Sequence, residues 1–436
     1  MRDHPQPPVT TAPTPAPHRP QPAPARPAAP PSPATGPSAP PSAVTSARPA
    51  VPPSPAAGSP APPSAVTSAR PAGSSAGHRL PGSPPPAAGS PGAVAPGQGA
   101  ARPLGEVRVW PRSFAERLTT PLPGVRAFAR LAREGAFRPG PEGLRGIPDL
   151  PYRPAPLPAV APGEVCVTWA GHASWVVRTG GLTVLTDPVW SRRILGTPAR
   201  MTPPGVRWEE LPPVDAVVIS HNHYDHLDAP TLKRLPRDTA LFVPAGLARW
   251  CRRRGFRRVT ELDWWEYAEL DGVRFEFVPA HHWSKRFLLD TCRTLWGGWL
   301  LTDLTGGGRT VYFAGDTGYG HWFGEIGARH PGIDLALLPI GAYAPRWWLR
   351  DVHADPEEAV RACLDLGARR MAPMHWAAFV LSAEPVMEPL HRVRAAWARA
   401  GQPREDLWDL PVGASRTLAA ATGEPARSDP ADMPLS

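Results

Sequence analysis

The 436-residue sequence predicts an α/β domain that follows a long, extended N-terminal tail. Residues 1–104 hold 31 of the 64 prolines and no Trp, Tyr, Phe, Ile, Lys or Glu. Such a segment cannot bury enough apolar surface to offset its ordering entropy. All 17 Trp lie in the rest of the chain, where short β-rich runs alternate with helical patterns. That alternation is typical of layered α/β domains.

Charge and cysteine content narrow the function classes. Seven Arg and one Asp give residues 1–104 a charge of +6, which leaves +3 of the total +9 for the remainder. The high pI is therefore not a nucleic-acid signature, and we expect no nucleic-acid partner. Four dispersed cysteines without a C-x-x-C pair fit a reducing compartment. With no secretory h-region and no long apolar run, we expect a cytoplasmic protein.

The composition divides the chain into four predicted segments. They are a disordered Pro/Ala/Ser-rich tail (1–104), a transitional extension (105–164), a folded domain (165–416) and a flexible C-terminal tail (417–436). Residues 39–50 recur at 61–72 but carry no apolar stripe, so we expect polyproline II with flexible joints rather than a solenoid. One or two short helices are predicted within 113–134, and an extended arm over 148–162.

Within the folded domain, β-branched and aromatic runs closed by Gly, Asp or Pro predict ten strands. They cover 165–169, 174–178, 182–186, 214–220, 241–244, 273–279, 298–301, 310–314, 335–339 and 370–373. Helices are predicted over 247–254, 325–330, 356–366 and 389–400. The third helix has the clearest start, because Asp355 is a good N-cap and Pro356 suits the first helical position.

Polar side chains follow four of these predicted strands. The strand 214–220 is followed by the segment His-Asn-His-Tyr-Asp-His, residues 221–226. Strand alternation places His221 and His223 on one side, and Asp225 and His226 toward the next turn, so the segment can serve two adjacent ions. The other three strands are followed by further candidate ligands for the same metal site. These are His281 or His282, then Asp316, and last His375.

These motifs occur with others in an order that resembles a known family. The shared stretches are 169–173, 185–188, 219–228, 261–266, 282–286, 313–319, 339–343, 345–347, 353–359 and 375–376. They resemble the metallo-β-lactamase-fold hydrolases, and in particular the N-acylphosphatidylethanolamine-hydrolysing phospholipase D family. The resemblance implies an αββα sandwich with a dinuclear metal site between its sheets.

The resemblance also implies the metal ligands. One metal is bound by His221, His223 and His282, the other by Asp225, His226 and His375, and Asp316 bridges the two. Asp316 and Asp225 are then the candidate catalytic carboxylates. Because the set contains no Cys, it suits two Zn²⁺ ions per chain and tolerates Fe or Mn.

Five further residues are candidates for the site. The resemblance implies that Tyr224 and His353 hold the phospholipid. Lys285 follows a ligand and is a candidate contact for an anionic head group. His172 and Asp187 either hydrogen-bond the metal-ligating imidazoles or cap tight turns between strands, and the sequence leaves both roles open.

The leading functional hypothesis is a dinuclear zinc phosphodiesterase that cleaves N-acylphosphatidylethanolamine-like lipids to phosphatidic acid and an N-acylethanolamine. A second hypothesis keeps the metals but changes the bond to another ester, a lactone or a cyclic phosphodiester. A third is a metal-stabilised binding module, which an open coordination position for water would argue against. The expected partner is a phospholipid substrate, and the sequence leaves open a peripheral contact with the membrane and a homodimer.

Overall fold

The computed structural model describes residues 99–134, 150–305 and 308–420, and these contain fourteen strands and seven α-helices. The strands are β1 (Ala100–Ala101), β2 (Val165–Gly171), β3 (Ser174–Thr179), β4 (Leu182–Thr186), β5 (Ala216–Val218), β6 (Ala240–Pro244), β7 (Val259–Leu262), β8 (Glu266–Leu270), β9 (Val273–Val278), β10 (Gly298–Asp303), β11 (Thr310–Phe313), β12 (Leu335–Pro339), β13 (Met371–Met374) and β14 (Ser415–Leu418). The helices are α1 (Val125–Arg133), α2 (Ala229–Lys233), α3 (Ala248–Arg252), α4 (Trp322–Arg329), α5 (Arg346–Leu349), α6 (Pro356–Asp365) and α7 (Glu388–Arg399).

The strands form two seven-stranded mixed sheets. The first has the order β14-β2-β3-β4-β5-β6-β7 and the second the order β1-β8-β9-β10-β11-β12-β13. In the first sheet, β4 to β7 run parallel, whereas β14, β2, β3 and β4 pair antiparallel. In the second, β8 to β11 pair antiparallel and β11 to β13 run parallel. The carboxyl ends of β2, β4 and β5 therefore lie at one edge of their sheet, and those of β9, β11 and β13 at one edge of theirs.

Alternating side chains divide the apolar core between the two faces of the first sheet. In β5, Ala216 and Val218 join the core cluster that contains both sheets, whereas Val217 joins a cluster with α2 and α3. This alternation is the ordinary consequence of a two-residue strand period. Phe242 of β6 stacks on Phe275 of β9 with 4.1 Å between ring centroids, so the two sheets pack directly on each other.

Helices cover the outer faces of both sheets. Leu232 of α2 and Cys251 of α3 are fully buried against the first sheet. Helices α4, α6 and α7 contribute buried side chains to the cluster around β11, β12 and β13. The result is the predicted order of layers, helix, sheet, sheet and helix, which is an αββα sandwich.

Most of the predicted elements are present in the described residues. The ten predicted strands correspond to β2–β6 and β9–β13, and the four predicted helices to α3, α4, α6 and α7. At α6, the Asp355 carboxylate accepts from the amide of Glu358, and the Glu358 carboxylate accepts from the amide of Asp355. This capping box fixes the start of the helix, as Asp355 and Pro356 predict.

Some expectations were wrong or incomplete. We assigned no strand to residues 259–270, yet they form β7 and β8, because the carboxylates that interrupt their apolar pattern are buried and paired. At the ends of the predicted segments, Ala100–Ala101 pairs with β8 and β14 continues to Leu418. The predictions for residues 1–98 and 421–436 lie outside the described residues.

The N-terminal arm, residues 99–134, is fastened to the domain by buried polar contacts. Arg102 donates to the Glu266 carboxylate at 2.8 Å, and Arg108 donates to its other oxygen at 2.5 Å. Trp110 donates to Glu261 at 2.9 Å, and the Phe114 ring is buried in the main core. These contacts hold the arm along the β7–β8 edge, so the arm is part of the folded domain.

Across residues 99–134, 150–305 and 308–420, no helix has both the length and the hydropathy that a bilayer crossing would require.

The two cations on Glu266 provide a test of how the arm is held. Arg102→Met or Arg108→Met alone should lower the free energy of unfolding by about 1–2 kcal/mol, because one charged hydrogen-bond partner remains. The double variant should lower it by about 3–5 kcal/mol, because a buried carboxylate is left without a cation. Denaturant titration measures both values. Arg112→Met, at an exposed position of the same arm, is the control, and adding Glu266→Gln to the double variant should restore part of the loss.

Candidate metal centre

The predicted ligands converge where strands of both sheets end. Residues 221–226 follow β5, while His282, Asp316 and His375 follow β9, β11 and β13. The indole of Trp299, on β10, donates to the Ile219 carbonyl at 2.9 Å and so ties the end of β5 to the second sheet. Side chains separated by more than 150 residues therefore meet in one buried space.

Three imidazoles form the first donor group. The nitrogen atoms His221 Nε2 and His223 Nδ1 are 2.8 Å apart, and His282 Nε2 lies 3.3 Å from His223 Nδ1. All three donor atoms lie within 4.8 Å of one another. The structure thus brings together the three residues that the resemblance assigns to one metal.

The second donor group contains a carboxylate and three imidazoles. His226 Nε2 lies 3.3 Å from His375 Nε2 and 3.4 Å from Asp225 Oδ2, and His375 Nε2 lies 3.5 Å from the same carboxylate oxygen. His172 completes the group through Nε2, at 3.0 Å from Asp225 Oδ2. The three residues that the resemblance assigns to the other metal are thus together as well.

Asp316 lies between the two donor groups. Its Oδ2 atom is 3.0 Å from His226 Nε2 and 3.9 Å from His221 Nε2. The same atom is 4.0 Å from His282 Nε2, and Asp316 Oδ1 is 3.1 Å from His375 Nε2. No other described carboxylate is this close to imidazoles of both groups, so Asp316 has the position of a bridging ligand.

A glycine permits this approach of Asp316. Gly315 has a φ of +65°, and a Cβ built on it would lie 2.5 Å from the Cβ of Ser220. A side chain at this position would clash with the segment that carries His221 and would strain the backbone. Gly315 is therefore required where β11 delivers Asp316 to the centre.

The donor distances fit tetrahedral metal coordination. Ligands held about 2.0–2.1 Å from a zinc ion stand about 3.3 Å apart along the edges of a tetrahedron. The separations among His226, His375 and Asp225, and that between His223 and His282, are 3.3–3.5 Å. The separation of His221 Nε2 from His223 Nδ1 is shorter, at 2.8 Å, so these two rings would have to move apart to hold an ion. Nitrogen and oxygen donors without thiolate also match the borderline metals. The residues present therefore fit a resident metal.

Hydrogen bonds to the opposite ring nitrogens orient the ligands. His226 Nδ1 lies 2.6 Å from Asp187 Oδ2, His221 Nδ1 lies 2.8 Å from Ser220 Oγ, and His282 Nδ1 lies 3.0 Å from the Val352 carbonyl. Such partners fix which nitrogen faces the metal. For Asp187 and His172 the sequence left two roles open, a hydrogen bond to a metal-ligating imidazole or the capping of a tight turn. They stand at turns with φ of +33° and +58°, and both contact a candidate ligand.

Burial and mutual charge shift the pKa values of these groups in opposite directions. Burial lowers the pKa of His172 to about 3 and that of His223 to about 4. Burial also opposes ionisation of Asp225, but the neighbouring His226 holds its pKa well below the usual range. For His375, burial opposes the charged form, but Asp316 outweighs it and raises the pKa to about 9. The same carboxylate helps to raise the pKa of His226.

The predicted substrate residues lie around the donor groups but not all in one cavity. Lys285 and His353 line an inner pocket of about 270 Å³ together with His223 and His282. Tyr224 faces an outer depression, where the Arg286 guanidinium stacks on its ring at 4.1 Å. His353 is 5.2 Å from the His282 ring, centroid to centroid, and follows α5 rather than a strand.

Part of the site was missed by sequence reasoning. The arm supplies residues 118–123 to the wall of the inner pocket, and Trp348 and Leu349 of α5 supply another part. Trp283 packs edge-on against His223 at 5.0 Å. Trp283 adjoins a ligand in sequence and could have been found. The arm and α5 carry no ligand motif, and only the tertiary structure brings them to the pocket.

Comparison with known proteins identifies the class. A family profile described as a β-lactamase superfamily domain matches residues 183–376. An uncharacterized protein of Mycobacterium tuberculosis is 43% identical over 261 residues, which are 56% of this chain and 68% of that protein. The chain belongs to the β-lactamase superfamily of metal-dependent hydrolases, and the predicted fold is confirmed.

The more particular resemblance is to proteins named as lipid hydrolases. N-acyl-phosphatidylethanolamine-hydrolyzing phospholipase D 1 of Caenorhabditis elegans is 37% identical over 260 residues, which are 56% of this chain and 71% of that protein. The mitochondrial protein of this name in Saccharomyces cerevisiae is 38% identical over 244 residues, 53% of this chain and 52% of that one. The family resemblance predicted from the motifs is thus confirmed.

Solved structures give weaker likenesses. A metallo-hydrolase from the archaeon Ignicoccus hospitalis is 24% identical and covers 59% of this chain and 99% of that one, with a TM-score of 0.45. An isothiocyanate hydrolase from Delia radicum gut bacteria is 21% identical over 59% of this chain and 100% of that one, with a TM-score of 0.47. Because both TM-scores are low, no role is assigned to this chain from these two structures.

Proton release on metal binding tests the electrostatics of the centre. In metal-free protein near pH 7, His226 and His375 hold protons because their pKa values are raised. A metal needs neutral imidazole, so adding Zn²⁺ should release about two protons near pH 7, and fewer as the pH rises through about 9. Calorimetric titration in buffers of different ionisation enthalpy measures this number. Release that does not change between pH 7 and pH 10 would contradict the assignment.

Proposed function

We propose that the protein is a dinuclear zinc phosphodiesterase that hydrolyses N-acylphosphatidylethanolamine-like lipids to phosphatidic acid and an N-acylethanolamine. One observation carries the proposal. His223 and His282 of the first donor group line an inner pocket with apolar walls and a cation, Lys285, and Asp316 lies between this group and the second one. The 37–38% identity to two proteins named for this activity supports the same substrate class.

Two metals are proposed because the donors fall into two groups around one carboxylate. The first metal would be bound by His221, His223 and His282. The second would be bound by Asp225, His226 and His375. With a shared Asp316, each ion has four protein donors at most, so a water or a substrate oxygen would be a fifth ligand, which a catalytic zinc ion accepts by expanding its coordination. When bound, such a pair of zinc ions supplies a water of lowered pKa and stabilises charge on a phosphoryl oxygen.

The inner pocket suits the acyl end of a lipid whose phosphate lies at the donor groups. Leu118, Leu122, Trp283 and Trp348 supply apolar wall, while His223 and His282 form the inner end. A pocket of about 270 Å³ accommodates part of a fatty chain, near the lower limit for small-molecule sites. The Lys285 ammonium lines the same pocket and can pair with the phosphate anion.

We assign His353 to the substrate and not to a metal, and one of its nitrogen atoms lies within 4.8 Å of donor atoms of His282 and Asp316. Its ring lies 5.2 Å from that of His282 and 5.6 Å from that of His375, and its Nδ1 atom is buried without a hydrogen-bond partner among the described residues. A buried polar atom of this kind is normally satisfied, here by a substrate oxygen. We assign Asp316 and Asp225 as the catalytic carboxylates, because Asp316 lies between the two donor groups and Asp225 lies within 3.5 Å of His226 and His375.

Metal content tests the two donor groups. Protein purified without added metal should hold about two equivalents of transition metal, mostly zinc, when measured by elemental analysis. His221→Ala with His223→Ala should lose at least one equivalent, because two of three ligands of one group are removed. Asp316→Asn should weaken binding of both. His391→Ala, at an exposed histidine of α7, is the control. Less than one equivalent in the unaltered protein would disprove the dinuclear site.

Hydrolysis of a lipid panel tests the substrate class, with lactones and cyclic nucleotides as the alternative substrates. His353→Ala and Tyr224→Phe should keep the metal and lose about a hundredfold in turnover of the phospholipid, as expected when substrate geometry slips by roughly 1 Å. In ¹⁸O-labelled water, attack at phosphorus should place the label in phosphatidic acid. Label in the released alcohol alone would mean that the carbon–oxygen bond is cleaved instead. If only lactones in the panel are hydrolysed, the proposed phospholipid substrate is wrong.

A further inference from the structure

The opening of the metal centre is bordered by exposed apolar side chains. Leu288 and Leu289 are 89% and 82% exposed, Leu195 is 72% exposed and Phe287 is 56% exposed. Leu195, Phe287 and Leu288 line one open depression of about 460 Å³, and His223 lies in the same depression. Exposed apolar side chains gathered in one place mark a binding surface more often than single ones do. We call these four residues the apolar rim.

The turn that carries the apolar rim is built to hold it outward. The Asp290 carboxylate accepts hydrogen bonds from the amides of Arg286 and Phe287, at 2.9 and 2.7 Å. The amide of Cys292 donates to the Ser284 carbonyl at 2.7 Å and closes the base of the turn. The exposed position of residues 287–289 is therefore set by specific hydrogen bonds to the backbone of the turn.

This turn is also fastened to the metal-binding segment. The Arg286 guanidinium donates to the carbonyls of Leu227 and Asn222, at 2.7 and 3.2 Å, and stacks on the Tyr224 ring. All three partners lie in residues 221–228, beside or among the candidate ligands. A partner that binds the apolar rim would therefore be held at a fixed position relative to the donor groups.

The charges around the rim are positive. Arg192 and Arg193 are exposed and precede Leu195 by three and two residues. Arg254 is exposed and stacks on Trp250, the ring that also lies 5.4 Å from the Arg286 guanidinium. The nearby carboxylates are already engaged. Asp290 accepts from backbone amides, and Asp228 accepts from Ser191 and Thr231.

We infer that the apolar rim and its cations are a docking surface for an anionic phospholipid bilayer. Leucine and phenylalanine tips surrounded by arginine fit the boundary between acyl chains and acidic head groups. A second copy of this chain fits less well, because a symmetric dimer through this face would bring the same cations together. The inference deepens the proposed function, since docking would present lipid directly to the mouth of the metal centre.

Vesicle sedimentation with the full, zinc-loaded chain tests the inference. Binding should be tighter to vesicles of phosphatidylcholine with phosphatidylglycerol than to phosphatidylcholine alone. It should weaken when salt rises from about 0.1 to about 1 M, which shortens the Debye length from about 10 to about 3 Å. Leu288→Ser with Leu289→Ser should weaken binding by about tenfold for each leucine. Arg192→Gln with Arg193→Gln should remove much of the preference for the anionic vesicles.

The control is Leu304→Ser, which alters a leucine of 46% exposure just after β10, at the end of the sheet away from His282. It should leave vesicle binding unchanged. Equal binding by the double leucine variant, or no binding by the unaltered protein, would overturn the inference. A dimer that the leucine changes convert to a monomer in light scattering would assign the rim to a second copy instead.

The two proposals fail in different ways. Vesicle binding that depends on the leucines, without hydrolysis of any lipid in the panel, would leave the docking surface standing and disprove the proposed substrate. Hydrolysis of detergent-dispersed lipid, without vesicle binding, would support the proposed substrate and disprove the docking surface. Zinc content and thermal unfolding of each variant show whether its fold and its metal centre are intact.

Discussion

The presence of three carboxylates, two of them buried and one half-buried, beside a group of imidazoles is the constraint on which the rest of the domain depends. Asp187, Asp225 and Asp316 lie at the edge where the two sheets meet, and charged groups in such a place must be paired or must bind metal. Several turns adopt left-handed backbone conformations to achieve this. His172, Asp187 and His375 have φ of +58°, +33° and +64°, which is strain that surrounding structure must offset.

The same constraint explains why each sheet contributes a different part of the donor set. The first sheet delivers the residues 221–226 and their orienting partners, and the second delivers His282, Asp316 and His375. The Trp299 indole crosses from the second sheet to the Ile219 carbonyl of the first. A shift of one sheet against the other would therefore break the donor geometry, so close packing of the core is needed for metal binding as well as for stability.

The pocket in front of the donor groups is assembled from segments with no part in metal binding. The N-terminal arm contributes one wall, and buried Glu266 and Glu261 hold the arm through Arg102, Arg108 and Trp110. Helix α5 contributes another wall. Beyond the pocket, the apolar rim continues the same apolar surface out to solvent. The core thus positions the candidate ligands, whereas the arm and α5 form the walls of the pocket that we propose to hold the substrate.

The sequence by itself predicted an α/β domain and ten of the strands, because those features follow from local period, whereas the αββα order of the layers and the seven candidate ligands came from the resemblance of its motifs to a known family. It also indicated Asp187 and His172, but left two roles open. Only the tertiary structure decided that β7 and β8 are strands, because the local sequence does not show that Glu261 and Glu266 are buried. Their partners, Trp110, Arg102 and Arg108, lie more than 150 residues away in the chain. The arm, the pocket walls and the apolar rim depend on such long-range contacts, which no local pattern records.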